Sequence, residues 1–130
     1  PKVVLMTGSS YGAGNYAMCG RAFDPFLTLA WPGAKCAVMG AAQAAGTLLQ
    51  IDLAARERRG ETIDEEERAA LLAAITASYS EQQDVLYGAA RGWIDRMIDP
   101  LETRDELVFA LRLAAGSPMD APFRTGVLQT

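Results

Sequence analysis

The chain has 130 residues, half of them apolar and 22% charged, with a net charge of −4, the profile of one folded domain. Its arginines are scattered among acids, which excludes the basic footprint of a nucleic-acid binder, and no apolar run reaches the roughly 18 residues needed to span a bilayer. It has no histidine and only two cysteines, so neither a disulfide framework nor a metal site is expected.

Residues 2–7, KVVLMT, are short, apolar and partly β-branched, and small residues follow at once, which predicts a buried strand running into a loop. The chain opens at Pro1, not methionine, and is strand-like from the start, so an upstream portion is expected. The N-terminus lacks the layout of a signal peptide, and a cytoplasmic location, or the interior of an organelle such as the mitochondrial matrix, is expected. Residues 13–19 continue without proline and predict a short buried helix ended by Gly20, with Met18 in the core. Residues 26–32 (FLTLAWP) and 34–40 (AKCAVMG) read as two further strands, turned by Pro32 and Gly33.

After Gly40 the period changes to that of a helix. Ala41, Ala44, Leu48, Ile51 and Ala55 form one stripe, Leu49 and Leu53 widen it, and RERRG closes it at Gly60. A second helix starts with two overlapping capping boxes, Thr62 with Glu65 and Asp64 with Glu67, and its inner stripe is Leu72, Ile75 and Tyr79. Glu65, Glu66 and Glu67 read as a solvated first turn that complements the helix dipole. Residues 84–91 form a short helical piece, and Trp93, Ile94, Met97 and Ile98 lead back to the core. Asp99 as N-cap with Pro100 at the first helical position opens a last helix, buried through Leu107, Ala110, Leu111 and Ala114 and ending at Gly116. The tail from Ala121 has no period and is expected to lie on the surface or fray. Short strands followed by helices place the chain in the α/β class.

Chemistry concentrates in residues 8–19, GSSYGAGNYAMC, which match three different devices. Gly8-Ser9-Ser10-Tyr11-Gly12 has the wording of a nucleophile elbow, but no histidine follows to take the serine proton. Gly12-Ala13-Gly14-Asn15-Tyr16-Ala17 has that of a dinucleotide fingerprint, but the acid expected about 20 residues later is replaced by AWPGAK, and no P-loop lysine follows. The third device is a set of backbone amides at a helix start, able to hold an oxyanion where small residues admit a ligand. A glycine-rich turn that only packs remains the alternative. Cys19 and Cys36 read as buried reduced thiols among apolar or small neighbours, Trp31 and Trp93 as packing residues, and Arg21 as either an anion contact or a structural ion pair.

The succession Gly12-Ala13-Gly14-Asn15-Tyr16-Ala17-Met18-Cys19-Gly20-Arg21-Ala22-Phe23, Ala30-Trp31-Pro32, Val38-Met39-Gly40, Gln43-Ala44-Ala45, Ile98-Asp99-Pro100 and Thr103-Arg104 resembles the C-terminal part of the carboxyltransferase (β) subunit of biotin-dependent acyl-CoA carboxylases. Its wording is similar to the methylcrotonyl-CoA and geranyl-CoA branch, except that Phe26 stands where that branch usually has arginine and Ala41-Ala42 where it has Gly-Glu. The resemblance implies a crotonase-like fold of repeated strand-strand-helix turns, with residues 1–130 as the closing part of a carboxyltransferase C-domain. It implies transfer of CO2 from carboxybiotin, borne by a separate carrier protein, to an acyl-CoA, in a homo-oligomer served by a biotin carboxylase component. It also implies that the amides of Ala13 and Gly14 form the biotin-side oxyanion hole, and that Tyr11, Gly12 and Asn15 shape the pocket, with Tyr16 or Met18 lining it. Another crotonase-like acyl-CoA enzyme, a decarboxylase component and a non-catalytic assembly domain are the alternatives.

Overall fold

A computed structural model describes residues 1–116. Pro118 and the expectation for the tail lie outside the described residues. Strand β1 (Val3–Met6) leads to β2 (Ser9–Tyr11) and directly into helix α1 (Gly12–Ala17). A 3-10 turn at Arg21–Phe23 precedes β3 (Leu27–Ala30), β4 (Lys35–Ala37) and the long helix α2 (Ala41–Arg58). Helices α3 (Glu65–Gln82) and α4 (Val85–Ala90), strand β5 (Arg96–Met97) and helix α5 (Thr103–Gly116) complete it, the last entered through a 3-10 turn at Pro100–Glu102.

Among the described residues all strand pairs are parallel, and consecutive strands do not pair with each other. β1, β3 and β5 make one sheet, with Val3 opposite Leu27, Met6 opposite Ala30, and Ala30 opposite Met97. β2 and β4 make another, with Ser9 opposite Lys35 and Tyr11 opposite Ala37. Each strand-strand-helix repeat thus gives its first strand to one sheet and its second to the other. One adjustment to the sequence expectations follows. The SSY stretch, expected as loop, is itself a strand, and the two strands around Pro32 belong to different sheets.

The core lies between these layers. Leu29 and Ala30 are fully buried, and Met6, Ala30, Ala34, Cys36, Val85 and Ile94 form one cluster backed by Val4 and Ala89. Burying β3 so completely leaves its backbone to be satisfied by neighbours. Thr28 N donates to Asp95 Oδ2 at 2.7 Å, and Asp95 N donates back to the Thr28 carbonyl at 2.9 Å. Helix α5 docks on the same strand layer, where Trp31 Nε1 donates to Thr103 Oγ1 at 2.9 Å and Arg96 Nη1 meets Glu106 Oε2 at 2.9 Å.

The helical predictions hold at their starts and shift on their faces. Asp64 is the N-cap of α3, accepting from Glu67 N at 2.7 Å, and Asp99 accepts from Leu101 N at 2.8 Å at the turn before α5. In α2 the buried positions are Ala41, Ala44, Ala45 and Leu49, whereas Ile51 is 58% exposed. In α3 no described residue is buried, so Leu72 is exposed and Ile75 and Tyr79 are only half covered. α5 buries Ala110 and Ala114 but leaves Leu111 exposed and Leu107 half-buried. A helix that packs on one narrow line covers its small residues first, and the larger apolar side chains flank that line. The α2–α3 pair is tied by Arg56, whose Nε donates to Asp52 Oδ2 at 2.7 Å and whose Nη1 donates to Glu67 Oε1 at 2.9 Å. Among the described residues, no helix is long and apolar enough to cross a membrane.

Candidate functional site

The β2-to-α1 passage is a one-residue transition. Tyr11 closes the ladder opposite Ala37 in an extended conformation, and Gly12 begins the helix at φ +51°. That left-handed value suits glycine, and a Cβ at Gly12 would stand 3.0 Å from the Val38 carbonyl oxygen, so close approach and backbone both require glycine. The helix runs only to Ala17. It ends because Cys19, not Gly20, turns left-handed at φ +69°, while Gly20 N donates to the Tyr16 carbonyl at 3.2 Å. Gly20 is needed for contact instead, since its Cβ would lie 3.0 Å from the Asn15 carbonyl oxygen.

These turns wall a cavity of about 600 Å3. Gly12, Ala13, Asn15, Tyr16 and Ala17 form one side, Cys19, Gly20 and Arg21 the rim, and Cys36, Ala37 and Val38 of β4 and its exit the other side, with Met6, Thr28 and Trp93 completing it. No Asp, Glu, Lys or His lies among these lining residues. Asn15 is held across the floor, its Oδ1 accepting from Ser10 Oγ at 3.0 Å and its Nδ2 donating towards Cys36 Sγ at 3.8 Å. Burial pushes the Cys36 thiol up from its ordinary value, so it stays neutral at physiological pH. Arg21 is engaged by Asp95, Nη1 to Oδ2 at 3.3 Å, so the structural ion pair is the reading realised. The cavity is therefore a mostly apolar pocket with a polar edge of backbone and amide groups.

The predicted site residues divide. Gly12, Ala13 and Asn15 line the cavity. Gly14 is exposed in the same turn and outside the cavity wall. As residues of the first helical turn, Ala13 and Gly14 precede the first i-to-i−4 bond, which leaves their N–H groups without a helical acceptor. Tyr11, expected on the pocket wall, lines a second concavity instead, and its hydroxyl donates to Gln83 Oε1 at 2.8 Å. Tyr16 does line the cavity, with its ring edge-on to Phe23 at 4.7 Å. Met18, expected in the core, is 77% exposed, because the helix is too short to turn that position inward. Trp93, expected to pack, is partly exposed at the cavity and edge-on to Tyr87. Gln83 was not foreseen: it is a buried polar residue 72 positions from Tyr11, and nothing in the local pattern signals so distant a contact.

Residues 1–126 match the family described as the carboxyl transferase domain. The chain belongs to that family. It is 43% identical over 120 residues to the mitochondrial methylcrotonoyl-CoA carboxylase beta chain of Arabidopsis thaliana, covering 92% of this chain and 20% of that protein. The crystal structure of the geranyl-CoA carboxylase beta subunit of P. aeruginosa superposes with a TM-score of 0.74 at 36% identity, over 98% of this chain and 24% of that one. The transcarboxylase 12S structure with methylmalonyl-coenzyme A bound gives 0.77 at 30% identity, over 95% and 22%. The carboxyl transferase domain here thus has the crotonase-like α/β arrangement of those β subunits, and it spans between a fifth and a quarter of the length of the relatives it matches.

Proposed function

We propose that this chain forms the carboxybiotin side of an acyl-CoA carboxyltransferase, with an acyl-CoA of the methylcrotonyl or geranyl type as acceptor. The observation that carries the proposal is a cavity entered by the first turn of α1 whose lining includes neither carboxylate nor imidazole. A reaction run there has no side-chain base in the lining, and with Arg21 paired to Asp95 the backbone amides are the donors this reading assigns to a developing oxyanion. The matched β subunits support the same reading.

Carboxybiotin would supply both the CO2 to be transferred and, as its ureido oxygen gathers charge, the site's strongest acceptor. The amides of Ala13 and Gly14 would donate to that oxygen, with the α1 dipole adding a smaller favourable contribution. Gly12 keeps the backbone close to β4, and Asn15, pinned by Ser10, presents its amide beside the same space. The neutral Cys36 and the Ala37 and Val38 wall restrict water, which strengthens the hydrogen bonds made inside. The size and mostly apolar walls of the cavity suit a compact bicyclic ring, and no metal is needed. The partners on this reading are a biotin carrier protein, a biotin carboxylase component, the acyl-CoA and further copies of the carboxyltransferase, as in the hexamer assembly of the 12S relative. Cytoplasm, or mitochondrial matrix in a eukaryote, is the proposed location.

The test is Gly14→Val in the full-length protein with its carrier. A side chain at Gly14 meets nothing within 4 Å, so the fold tolerates it, and a branched side chain next to that amide would hinder the approach of an acceptor. Carboxylation of acyl-CoA should fall about a hundredfold. Unchanged turnover would remove Ala13 and Gly14 from the chemistry.

A further inference from the structure

Thr28 and Gln83 are the buried polar side chains among the described residues. Thr28 belongs to the β3 ladder, whereas Gln83 sits at the end of α3, joined to three other elements. Its Oε1 accepts from the Tyr11 hydroxyl at 2.8 Å and from Ala41 N, the first amide of α2, at 3.4 Å. Its carbonyl accepts from Cys36 N in β4 at 2.8 Å, and its own N–H donates to the Tyr79 carbonyl at 3.1 Å. The backbone bonds fix the residue's place; the side chain alone reaches Tyr11.

Tyr11 is the residue from which α1 departs. One side of that departure is fixed by the Tyr11–Ala37 rung and the Ser10–Asn15 bond. The phenol is a lever on the other side, its ring lying over Gly40 and its hydroxyl held by Gln83. We infer that Gln83 is a positioning residue which, through the Tyr11 hydroxyl, sets the angle at which the first turn of α1 leaves β2, with Gly12 and Ala13 at the cavity wall and Gly14 beside it. The inference rests on the amide reading proposed above. Gln83 touches no substrate and lies on the far side of the β2–β4 ribbon, in the second concavity. A small rotation of Tyr11 there would displace the amides, and displacement of donors by about 1 Å can cost up to about a hundredfold in rate.

The experiment uses the full-length protein with its biotin carrier and follows carboxylation of acyl-CoA. Tyr11→Phe, which keeps the ring and removes the hydroxyl, should lower kcat about tenfold with the KM for acyl-CoA nearly unchanged. Gln83→Leu should lower kcat at least as far, and the double variant no further than Gln83→Leu alone. Gln83→Glu, whose carboxylate still accepts from both the hydroxyl and Ala41 N, should recover most of the loss. Should Gln83→Leu fail to fold, Tyr11→Phe and Gln83→Glu decide between themselves. Parental kcat in Tyr11→Phe, losses that multiply in the double variant, or a glutamate no better than leucine would each overturn the inference. With Gly14→Val slow, those results strike Gln83 alone; with Gly14→Val at parental rate, the amide reading falls first and the inference with it.

Discussion

Strand β3 and the α2–α3 pair both carry leucine and alanine at their inner positions, yet only the first behaves as a core. Leu29 and Ala30 of β3 are closed off completely, whereas α3 buries no described residue and meets α2 through the Arg56–Glu67 ion pair. The difference shows what each part is for. A strand sandwiched between neighbours must be apolar on both faces and can position a cavity to within a fraction of an ångström. A helix pair with an open side tolerates change in sequence, and its junction at Gln83 meets β2 through Tyr11.

The sharpest way to break this contrast is a matched truncation. Leu29→Ala should cost about 2–5 kcal/mol in chemical unfolding, and Leu72→Ala under about 1 kcal/mol, because only the first leaves a closed cavity. Equal costs would mean that α3 is buried as deeply as β3. Next in size is Gly12→Ala, expected to lose about 1–2 kcal/mol from the left-handed backbone alone, with further strain against the Val38 carbonyl. A neutral result would show that the α1 entry relaxes. Asp64→Ala, which removes the acceptor of the Glu67 amide, should cost about 1 kcal/mol and speed hydrogen exchange in the first turn of α3 while leaving β3 untouched. The smallest effect concerns Cys36. Its thiol value is raised by burial, so the stability it contributes is complete below the ordinary value of 9.0 and is lost as pH rises through the higher folded value. The unfolding midpoint should fall over that alkaline range, and less so in Cys36→Ala; Cys19, half-buried, should be alkylated first.

Several features were legible because they are local. The Asp64 cap, the Asp99-Pro100 start, the span of α2 and the first strand follow from neighbours a few positions apart, and they stand where the pattern puts them. Gly12 was legible as a requirement for small size, though not as a close approach to Val38. What failed was direction. Met18 and Ile51 carry apolar side chains that periodicity turns inward, but α1 is only six residues long and α2 packs along its alanines. The resemblance implied that Tyr11 shapes the pocket, and strand alternation sends its side chain the other way, to Gln83.

Taken alone, the amino-acid order determined the longer helices, the Asp64 and Asp99 caps and the lack of an imidazole base in this chain, since these depend on residue chemistry or on spacing within a turn or two, and a succession of motifs along the chain pointed to the family. Only the tertiary structure decided that successive strands part into two sheets, that Asp95 claims Arg21, and that Gln83 reaches across 72 positions to Tyr11. The reason is physical: parallel pairing and buried hydrogen bonds join distant segments, and their partners are chosen by the packing of the whole layer, which no local window contains.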